Sequence, residues 1–203
     1  MQEKEIKILK GARKLYKKYG IRSVTMDDVA NHLGISKKTL YQFVKDKNEL
    51  VKKVIENDLA IKNEGFTAIF EKNLNAIDEL LEVNKYINKL FKEYQPGMEF
   101  DLKKYYPEYF LEVKERKRER MFKSISDNLR RGISEGLYRK ELDVDLLSKL
   151  HVFRCESLIE YDVFSRDELI SDHFVNEIFT YHMHGIASEK GLKYLKQINQ
   201  SKN

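Results

Sequence analysis

Residues 25–50 constrain the fold of this chain more than any other stretch, because they carry the start, stop and spacing signals of two short helices. Thr25, with Asp28 three residues later, forms the capping-box pattern that begins a helix. Apolar residues then recur at helical spacing until Gly34, and glycine accepts the left-handed backbone that often ends a helix. Ser36 can cap a second helix directly afterwards. The stretch therefore predicts a helix-turn-helix.

The second short helix is predicted to have one apolar and one polar face. Leu40 and Phe43 lie on its inner side. The side chains that can face outward are polar or basic, namely Lys37, Lys38, Thr39, Tyr41 and Gln42.

The composition favours a soluble, all-α protein. Among 203 residues there are two prolines and nine glycines, and 35% are charged. Cys155 is the only cysteine, which excludes an internal disulfide and is typical of the cytosol. No apolar run approaches the roughly 18 residues of a membrane span, and no signal-peptide pattern follows Met1. We therefore expect a cytoplasmic protein that does not enter the membrane.

Positive charge is concentrated at the N-terminus. Residues 1–53 contain fourteen lysines and arginines against six acidic residues, a net charge of +8, whereas the whole chain carries +5. A basic N-terminal quarter on a mildly acidic remainder is typical of a nucleic-acid-binding domain. A solvated lysine-rich surface would explain the charge, but not its coincidence with the helix-turn-helix spacing.

Helical periodicity continues on both sides of this motif. It predicts a first helix over residues 3–19, a helix that starts near Asp46 and runs past residue 60, and a long helix from about Glu108 to Glu135. Pro96-Gly97 is the clearest loop signal of the chain.

The chain divides on these signals into a DNA-binding domain over residues 1–47 and a larger helical body over residues 48–203. Near the end, a capping box at Ser165 is expected to open a final helix, and residues after Gly191 are expected to form a polar tail that can begin as a helix.

Apolar stripes on the last two predicted helices favour a homodimer. A monomer would expose them, and two helices from each subunit could form a four-helix bundle. Burial of both stripes inside one chain is the alternative. The predicted interface residues are Leu147, Leu150, Leu158, Tyr161, Ile170, Phe174, Ile178, Tyr181 and Gly185.

Aromatic residues are concentrated in the body, where 19 of the 23 lie after residue 61. Such residues could line a cavity for a small, largely apolar ligand, although an ordinary core is the alternative. The candidate pocket residues are Phe70, Phe91, Tyr94, Phe100, Tyr105, Tyr109, Phe110, Met121, Phe122 and Phe153.

The N-terminal region resembles the TetR family of bacterial transcriptional regulators over roughly residues 5–53. The matching residues are Thr25, Asp28-Val29-Ala30, Leu33-Gly34-Ile35-Ser36, Thr39-Leu40-Tyr41, Lys47 and Glu49-Leu50. The resemblance implies an all-helical protein of about nine helices that binds a near-palindromic operator as a homodimer, usually as a repressor. It also implies a small-molecule effector that releases the DNA. Val44 departs from the pattern, because many members have an aromatic residue there.

The resemblance also implies roles for individual residues. Lys37, Lys38, Thr39 and Gln42 would face base edges, whereas Thr25, Tyr41 and Lys47 match positions that contact phosphate. With the helix cap Ser36, these residues form the predicted DNA-binding set.

An enzyme is disfavoured, because the sequence lacks a glycine-rich phosphate loop and a nucleophile elbow. Histidine and acidic residues near the C-terminus could in principle hold a metal, but His182 and His184 point about 200° apart on a helix. We therefore predict no cofactor and no metal site. A DNA-binding protein whose body docks a protein partner, without a small effector, is the alternative function.

Overall fold

The computed structural model is all-α and describes residues 3–94, 96–160 and 163–200. Outside the helices, these residues form one isolated β-bridge, between Tyr138 and Ala187. The helices are α1 (Glu3–Tyr19), α2 (Met26–Leu33), α3 (Lys37–Leu40), α4 (Lys47–Phe70), α5 (Ala76–Lys92), α6 (Pro96–Tyr105), α7 (Pro107–Ser134), α8 (Val144–Glu160), α9 (Arg166–Leu169), α10 (Asp172–Ile186) and α11 (Glu189–Gln200). The expected all-α class is confirmed, and the described residues form eleven helices in place of about nine.

Two compact units make up the fold. The first consists of Met1–Gly65 and Gln95–Val113, and the second of Phe66–Tyr94 and Lys114–Asn203. The first unit is larger than the predicted DNA-binding domain of residues 1–47, because α6 and the start of α7 share its core. Distant parts of the sequence thus support the helix-turn-helix.

The core of the first unit joins all its helices. Ile21 in the α1–α2 connection, Leu40 in α3 and Leu50 in α4 are fully buried. Val44 is only 2% exposed, so the smaller side chain at this position still fills its place in the core. Leu102 of α6 joins the same cluster. Burial of side chains this size contributes about 1.5–3 kcal/mol each, which holds the short α3 in place.

A buried carboxylate links α1 to α4. Asp58 of α4 is 4% exposed and forms ion pairs with Arg13 of α1 and with Lys62, whose Nζ lies 2.7 Å from Oδ2. Burial alone would raise the pKa of Asp58, but Lys62 and Arg13 lower it overall. The carboxylate is therefore charged at neutral pH and compensated on both sides.

A buried hydrogen-bond network organises the second unit. Asn128 of α7 donates to the Ala76 carbonyl at 3.0 Å and to the Glu79 carboxylate at 2.9 Å. Arg131 pairs with Glu79 at 2.6 Å, and the Tyr138 hydroxyl lies 3.1 Å from the Ala76 oxygen. The network fixes the start of α5 against the end of α7, because unpaired buried polar groups are costly.

Three expectations about helix ends need correction. Pro96 and Gly97 do not form a loop but begin α6, where proline is tolerated because the first helical N–H needs no partner. The capping box at Ser165 is present but opens only the four-residue α9. The residues after Gly191 are helical not only at first but as far as Gln200 in α11, and Leu195 packs on the second core.

The close approach of Gly132 to Tyr138 should make this glycine irreplaceable. A Cβ at Gly132 would overlap the Tyr138 ring, which the buried network holds in place. Gly132→Ala should lower the free energy of unfolding by about 2 kcal/mol or more, because the core cannot absorb the added volume without strain.

Urea unfolding of the purified variant measures this change. Gly97→Ala is the matched control, because nothing lies within 4 Å of its added Cβ and alanine favours the helix. Equal stability of the two variants would contradict the packing argument.

Candidate nucleic-acid interface

The start and end of α2 are fixed by local hydrogen bonds. Thr25 Oγ1 accepts from the Asp28 N–H at 3.1 Å, and the Asp28 carboxylate accepts from the Thr25 N–H at 2.8 Å. Hydrogen bonds from the Thr25 side chain, and to a smaller extent from its backbone N–H, lower the pKa of Asp28. Gly34 ends the helix with φ of +66°. The predicted capping box and left-handed stop are both present.

The short α3 depends on Ser36 at its start and on buried residues beneath it. Ser36 Oγ accepts from the Thr39 N–H at 3.0 Å, and the Ser36 and Thr39 hydroxyl oxygens are 2.8 Å apart. After Leu40 the chain continues as a turn, in which Phe43 N–H donates to the Leu40 carbonyl at 3.0 Å. Leu40 and Val44 are buried, so this segment presents a defined outer face.

That outer face contains most of the predicted DNA-binding residues. Lys37, Lys38, Tyr41 and Gln42 are exposed, and Thr39 is half-buried. Tyr41 exposes 42% of its surface, whereas the adjacent Leu40 is fully buried. Basic and hydrogen-bonding groups therefore stand together on one side of α3.

Lys37 is not free in this arrangement. Its Nζ donates to Oδ2 of Asp27 on α2 at 3.1 Å, and this hydrogen bond raises the pKa of Lys37. The pair is exposed, so its contribution to stability is small and a phosphate or a base could replace Asp27 at little cost.

Lys47 lies at the start of α4 and is half-buried. Its Nζ donates to the Arg22 carbonyl at 3.1 Å. Burial lowers the pKa of Lys47, whereas the nearby Asp101 acts in the opposite direction. The ammonium group therefore stands beside the connection that leads into Thr25, close to the start of α2.

Lys53 is a supporting residue that sequence reasoning did not identify. Its Nζ donates to the Phe43 carbonyl at 2.8 Å, where the α3 segment ends, and to Glu5 of α1 at 3.0 Å. The Glu49–Lys53 spacing of four residues fits a helical ion pair, which is present at 3.5 Å. The contact with Phe43 could not be read from spacing, because it depends on the path of the turn.

The candidate pocket residues do not lie in one compact unit. Phe100, Tyr105, Tyr109 and Phe110 belong to the first unit, where Tyr109 is a buried core residue and Phe100 is 61% exposed. The second unit contains Phe70, Phe91, Tyr94, Met121, Phe122 and Phe153. Phe153 lies on the surface with 64% of its area exposed, and the other five are half-buried.

A separate apolar surface lies on α8 and α10, and we call it the α8/α10 face. Leu146, Leu150 and Phe153 of α8 are 59%, 57% and 64% exposed, and Tyr181 of α10 is 76% exposed. Gly185 is also exposed, with nothing within 4 Å of an added Cβ.

The other predicted interface residues are less exposed or not described. Leu147 packs against the core of the second unit. Leu158, Ile170, Phe174 and Ile178 are half-buried. Tyr161 lies outside the described residues.

Beside this face, α8 and α10 meet through two histidines. The ring centroids of His151 and His182 are 4.8 Å apart, and Arg154 donates to Nδ1 of His151 at 3.2 Å. An arginine cannot accept a hydrogen bond, so Nδ1 carries no proton and His151 is neutral. Burial lowers the pKa of His151 to about 3, with contributions from His182 and Arg154, and lowers that of His182 to about 4.

Residues 8–54 match the profile of the tetR family of bacterial regulatory proteins. This part of the chain is a TetR-family domain. The match covers α2, α3, most of α1 and the start of α4, and includes every residue of the predicted DNA-binding set.

Relatives extend the likeness beyond the TetR-family domain. YvaF of Bacillus subtilis (strain 168), described as an uncharacterized HTH-type transcriptional regulator, is 31% identical over 106 residues. That match covers 52% of this chain and 55% of YvaF, so the chain spans about half the length of the relative it matches.

Solved structures show the same fold at low identity. A transcriptional regulator from Cytophaga hutchinsonii is 19% identical with a TM-score of 0.70, over 89% of this chain and 97% of that one. The ketosteroid transcriptional regulator KstR2 of Mycobacterium tuberculosis is 20% identical with a TM-score of 0.55, over 93% and 97%. The matched family and these relatives are transcriptional regulators, not enzymes.

A membrane span and a metal-binding group are both absent from the described residues. None of their helices is both long and apolar enough to span a bilayer. Nor do their His, Cys, Asp and Glu side chains form a group of three or more that could hold a metal ion.

The half-buried pair His151 and His182 should make the fold acid-sensitive in a defined pH range. Their pKa values lie below the ordinary 6.5, so the folded state disfavours the protonated rings. The stability contributed by the two neutral rings is complete above pH 6.5. It is lost as the pH falls towards the folded-state pKa values, about 4 for His182 and about 3 for His151. At pH 5 the loss should be about 2 kcal/mol or more.

Urea unfolding at pH 7 and pH 5 measures this loss. The double variant His151→Gln with His182→Gln should lose less stability between the two pH values, because neither glutamine titrates. His32→Gln, at an exposed position of α2, is the control and should keep the wild-type dependence. Equal losses in all three proteins would contradict the assignment.

Proposed function

We propose that this protein is a transcriptional regulator that binds a near-palindromic operator as a homodimer and represses transcription. The observation that carries the proposal is the exposed, basic outer face of α3 inside a TetR-family domain. Ser36 and the buried Leu40 hold this face outward, as insertion into a major groove requires.

The side chains of this face divide by what they can contact. Lys38 and Gln42 are exposed, and their long polar side chains suit guanine and adenine edges in the major groove. Tyr41 and Lys47 suit phosphate oxygens, which fix the register of the protein on the duplex. The N-terminus of α2 at Thr25 adds oriented N–H groups for a further phosphate.

The α8/α10 face supports the homodimer. Three α8 side chains at helical spacing and Tyr181 of α10 each expose more than half of their surface. Leu146, Leu150 and Phe153 lie on one side of α8, and monomeric proteins rarely leave large apolar patches in water. A two-fold dimer would present two copies of α3, and half-sites one helical turn apart need a separation of about 34–36 Å.

A small, largely apolar effector would release the DNA. The half-buried aromatic residues Phe70, Phe91, Tyr94 and Phe122 of the second unit support this part of the proposal, as does the fold relative named for ketosteroids. The effector must bind better to the state that cannot bind DNA. A coupling of about 2–3 kcal/mol would lower operator affinity roughly 30- to 150-fold.

DNA binding should depend steeply on salt and on individual residues of α3. With a fluorescent duplex that the wild-type protein selects from a randomised pool, affinity should fall as salt rises, because counterions are released from phosphates. Tyr41→Ala should weaken binding about tenfold on all sequences, and Lys38→Ala should reduce base discrimination at one position by about 1–3 kcal/mol.

The control is Lys193→Ala, which removes one exposed positive charge from α11 and should leave both properties unchanged. Salt-independent binding, or a Tyr41→Ala protein with wild-type affinity, would remove the basis of the proposal.

The α8/α10 face should control the oligomeric state. Leu150→Asp would place an unpaired charge in the proposed interface and should raise the dimer dissociation constant by a hundredfold or more, about 3 kcal/mol. Sedimentation equilibrium measures this constant.

Leu111→Asp is the matched control, because Leu111 is 62% exposed and belongs to the first unit, whereas α8 and α10 belong to the second. The control should keep the wild-type dimer. A monomeric wild-type protein, or a dimer that tolerates Leu150→Asp, would be inconsistent with this interface.

A further inference from the structure

Helix α6 supplies a carboxylate to the connection between α1 and α2. Asp101 Oδ2 accepts from the Arg22 N–H at 2.9 Å, across 79 residues of sequence. Gly20 makes room for it, because a Cβ there would lie 2.7 Å from the same oxygen. Gly20 also adopts φ of +82°, a conformation that other residues rarely take. The Asp101 contact is therefore built into the backbone of this connection.

Arg22 is also bound by Lys47, through its backbone carbonyl. The Arg22 carbonyl accepts from Lys47 Nζ at 3.1 Å, so Arg22 is held by Asp101 through its N–H and by Lys47 through its oxygen. Arg22 lies three residues before Thr25, which caps α2. The fixed peptide thus lies between two of the proposed phosphate-binding groups, the Lys47 ammonium and the N-terminus of α2.

Helix α6 is itself fixed in the first unit. Leu102, next to Asp101, is 4% exposed and belongs to the core that contains Leu40. The Arg22 guanidinium also lies over the ring of Tyr105, 4.7 Å from its centroid. Asp101 is therefore presented from a rigid element, whereas the connection that it holds has no regular structure of its own.

We propose that Asp101 is a positioning residue for DNA binding. It holds the Arg22 peptide so that Lys47 and the start of α2 meet the phosphate backbone in one register. This inference rests on the proposed DNA-binding function and extends it to a residue far from the helix-turn-helix in sequence. Asp101 itself touches no DNA in this assignment.

The charge of Asp101 and its hydrogen bond to Arg22 should affect DNA affinity in opposite directions. A carboxylate near Lys47 and Arg22 lowers the positive potential that attracts DNA, so removing it should tighten binding if electrostatics alone decided. If position decides, losing the hydrogen-bond acceptor should weaken binding despite the gain in positive charge. The sign of the effect therefore separates the two accounts.

Two variants remove the same charge but differ in the acceptor. Asp101→Ala loses the acceptor and should weaken binding to the wild-type-selected duplex about tenfold, because a hydrogen bond to a charged group is among the stronger ones. Asp101→Asn keeps an oxygen for the Arg22 N–H and should bind as well as wild type or more tightly. Glu99→Ala, which removes a half-buried charge from the same helix, should behave like Asp101→Asn.

A double-variant comparison tests the route through Lys47. Asp101→Ala should cost about tenfold in the wild-type background but less than about threefold in a Lys47→Ala background, since coupled residues are not additive. A general loss of folding would lower affinity equally in both backgrounds. Circular dichroism melting of each variant accompanies the binding curves.

Several results would overturn the inference. Asp101→Ala binding as tightly as Glu99→Ala, Asp101→Asn binding as weakly as Asp101→Ala, or equal costs in the two backgrounds would each do so. If the wild-type protein selects no duplex at all, the DNA-binding proposal itself fails, which is a different and distinguishable result.

Discussion

The burial of Leu40 is the interaction on which the first unit depends. Helix α3 has four residues, too few to be stable alone, because helix nucleation is costly and is repaid only over several turns. Its conformation therefore comes from its contacts. Leu40 and Val44 anchor it in the core, and Ser36 and Lys53 hydrogen-bond its two ends. A rigid polar face can be built on so short a helix only because each of these groups is satisfied.

The signals that sequence could predict are those completed within a few residues. The capping box at Thr25, the cap at Ser36 and the left-handed Gly34 each act over three or four positions, and each is present. The long helix expected from about Glu108 to Glu135 spans Pro107–Ser134 for the same reason. Local hydrogen bonding and helical spacing determine these features, so tertiary packing had little to change.

The features that could not be predicted depend on contacts between residues that are far apart in the sequence. The first unit extends to Val113 because Leu102 and Tyr109 enter its core, and no local pattern distinguishes them from residues of the second unit. The contacts of Asp101 with Arg22 and of Lys53 with Phe43 likewise depend on how the chain returns. Residues after Gly191 appeared polar, yet their apolar minority falls on one side and packs as α11.

Helix α8 explains why periodicity alone could not define the α8/α10 face. Successive residues of an α-helix turn by about 100°, which places Leu146, Leu150 and Phe153 on one side and Ser148 and Val152 on the opposite side. Both sides are largely apolar, so the hydrophobic pattern does not determine which one is buried.

A buried polar contact favours one of the two possible orientations of α8. Ser148 is fully buried, its hydroxyl lies 2.8 Å from that of Ser126, and it donates to the Val144 carbonyl at 2.7 Å. The Ser126 hydroxyl is also buried and donates to Ser148, which can accept this hydrogen bond only on the inner side of α8. The serine pair therefore favours the orientation of α8 in which Leu150 and Phe153 face outward, and these two residues belong to the apolar surface that supports the homodimer.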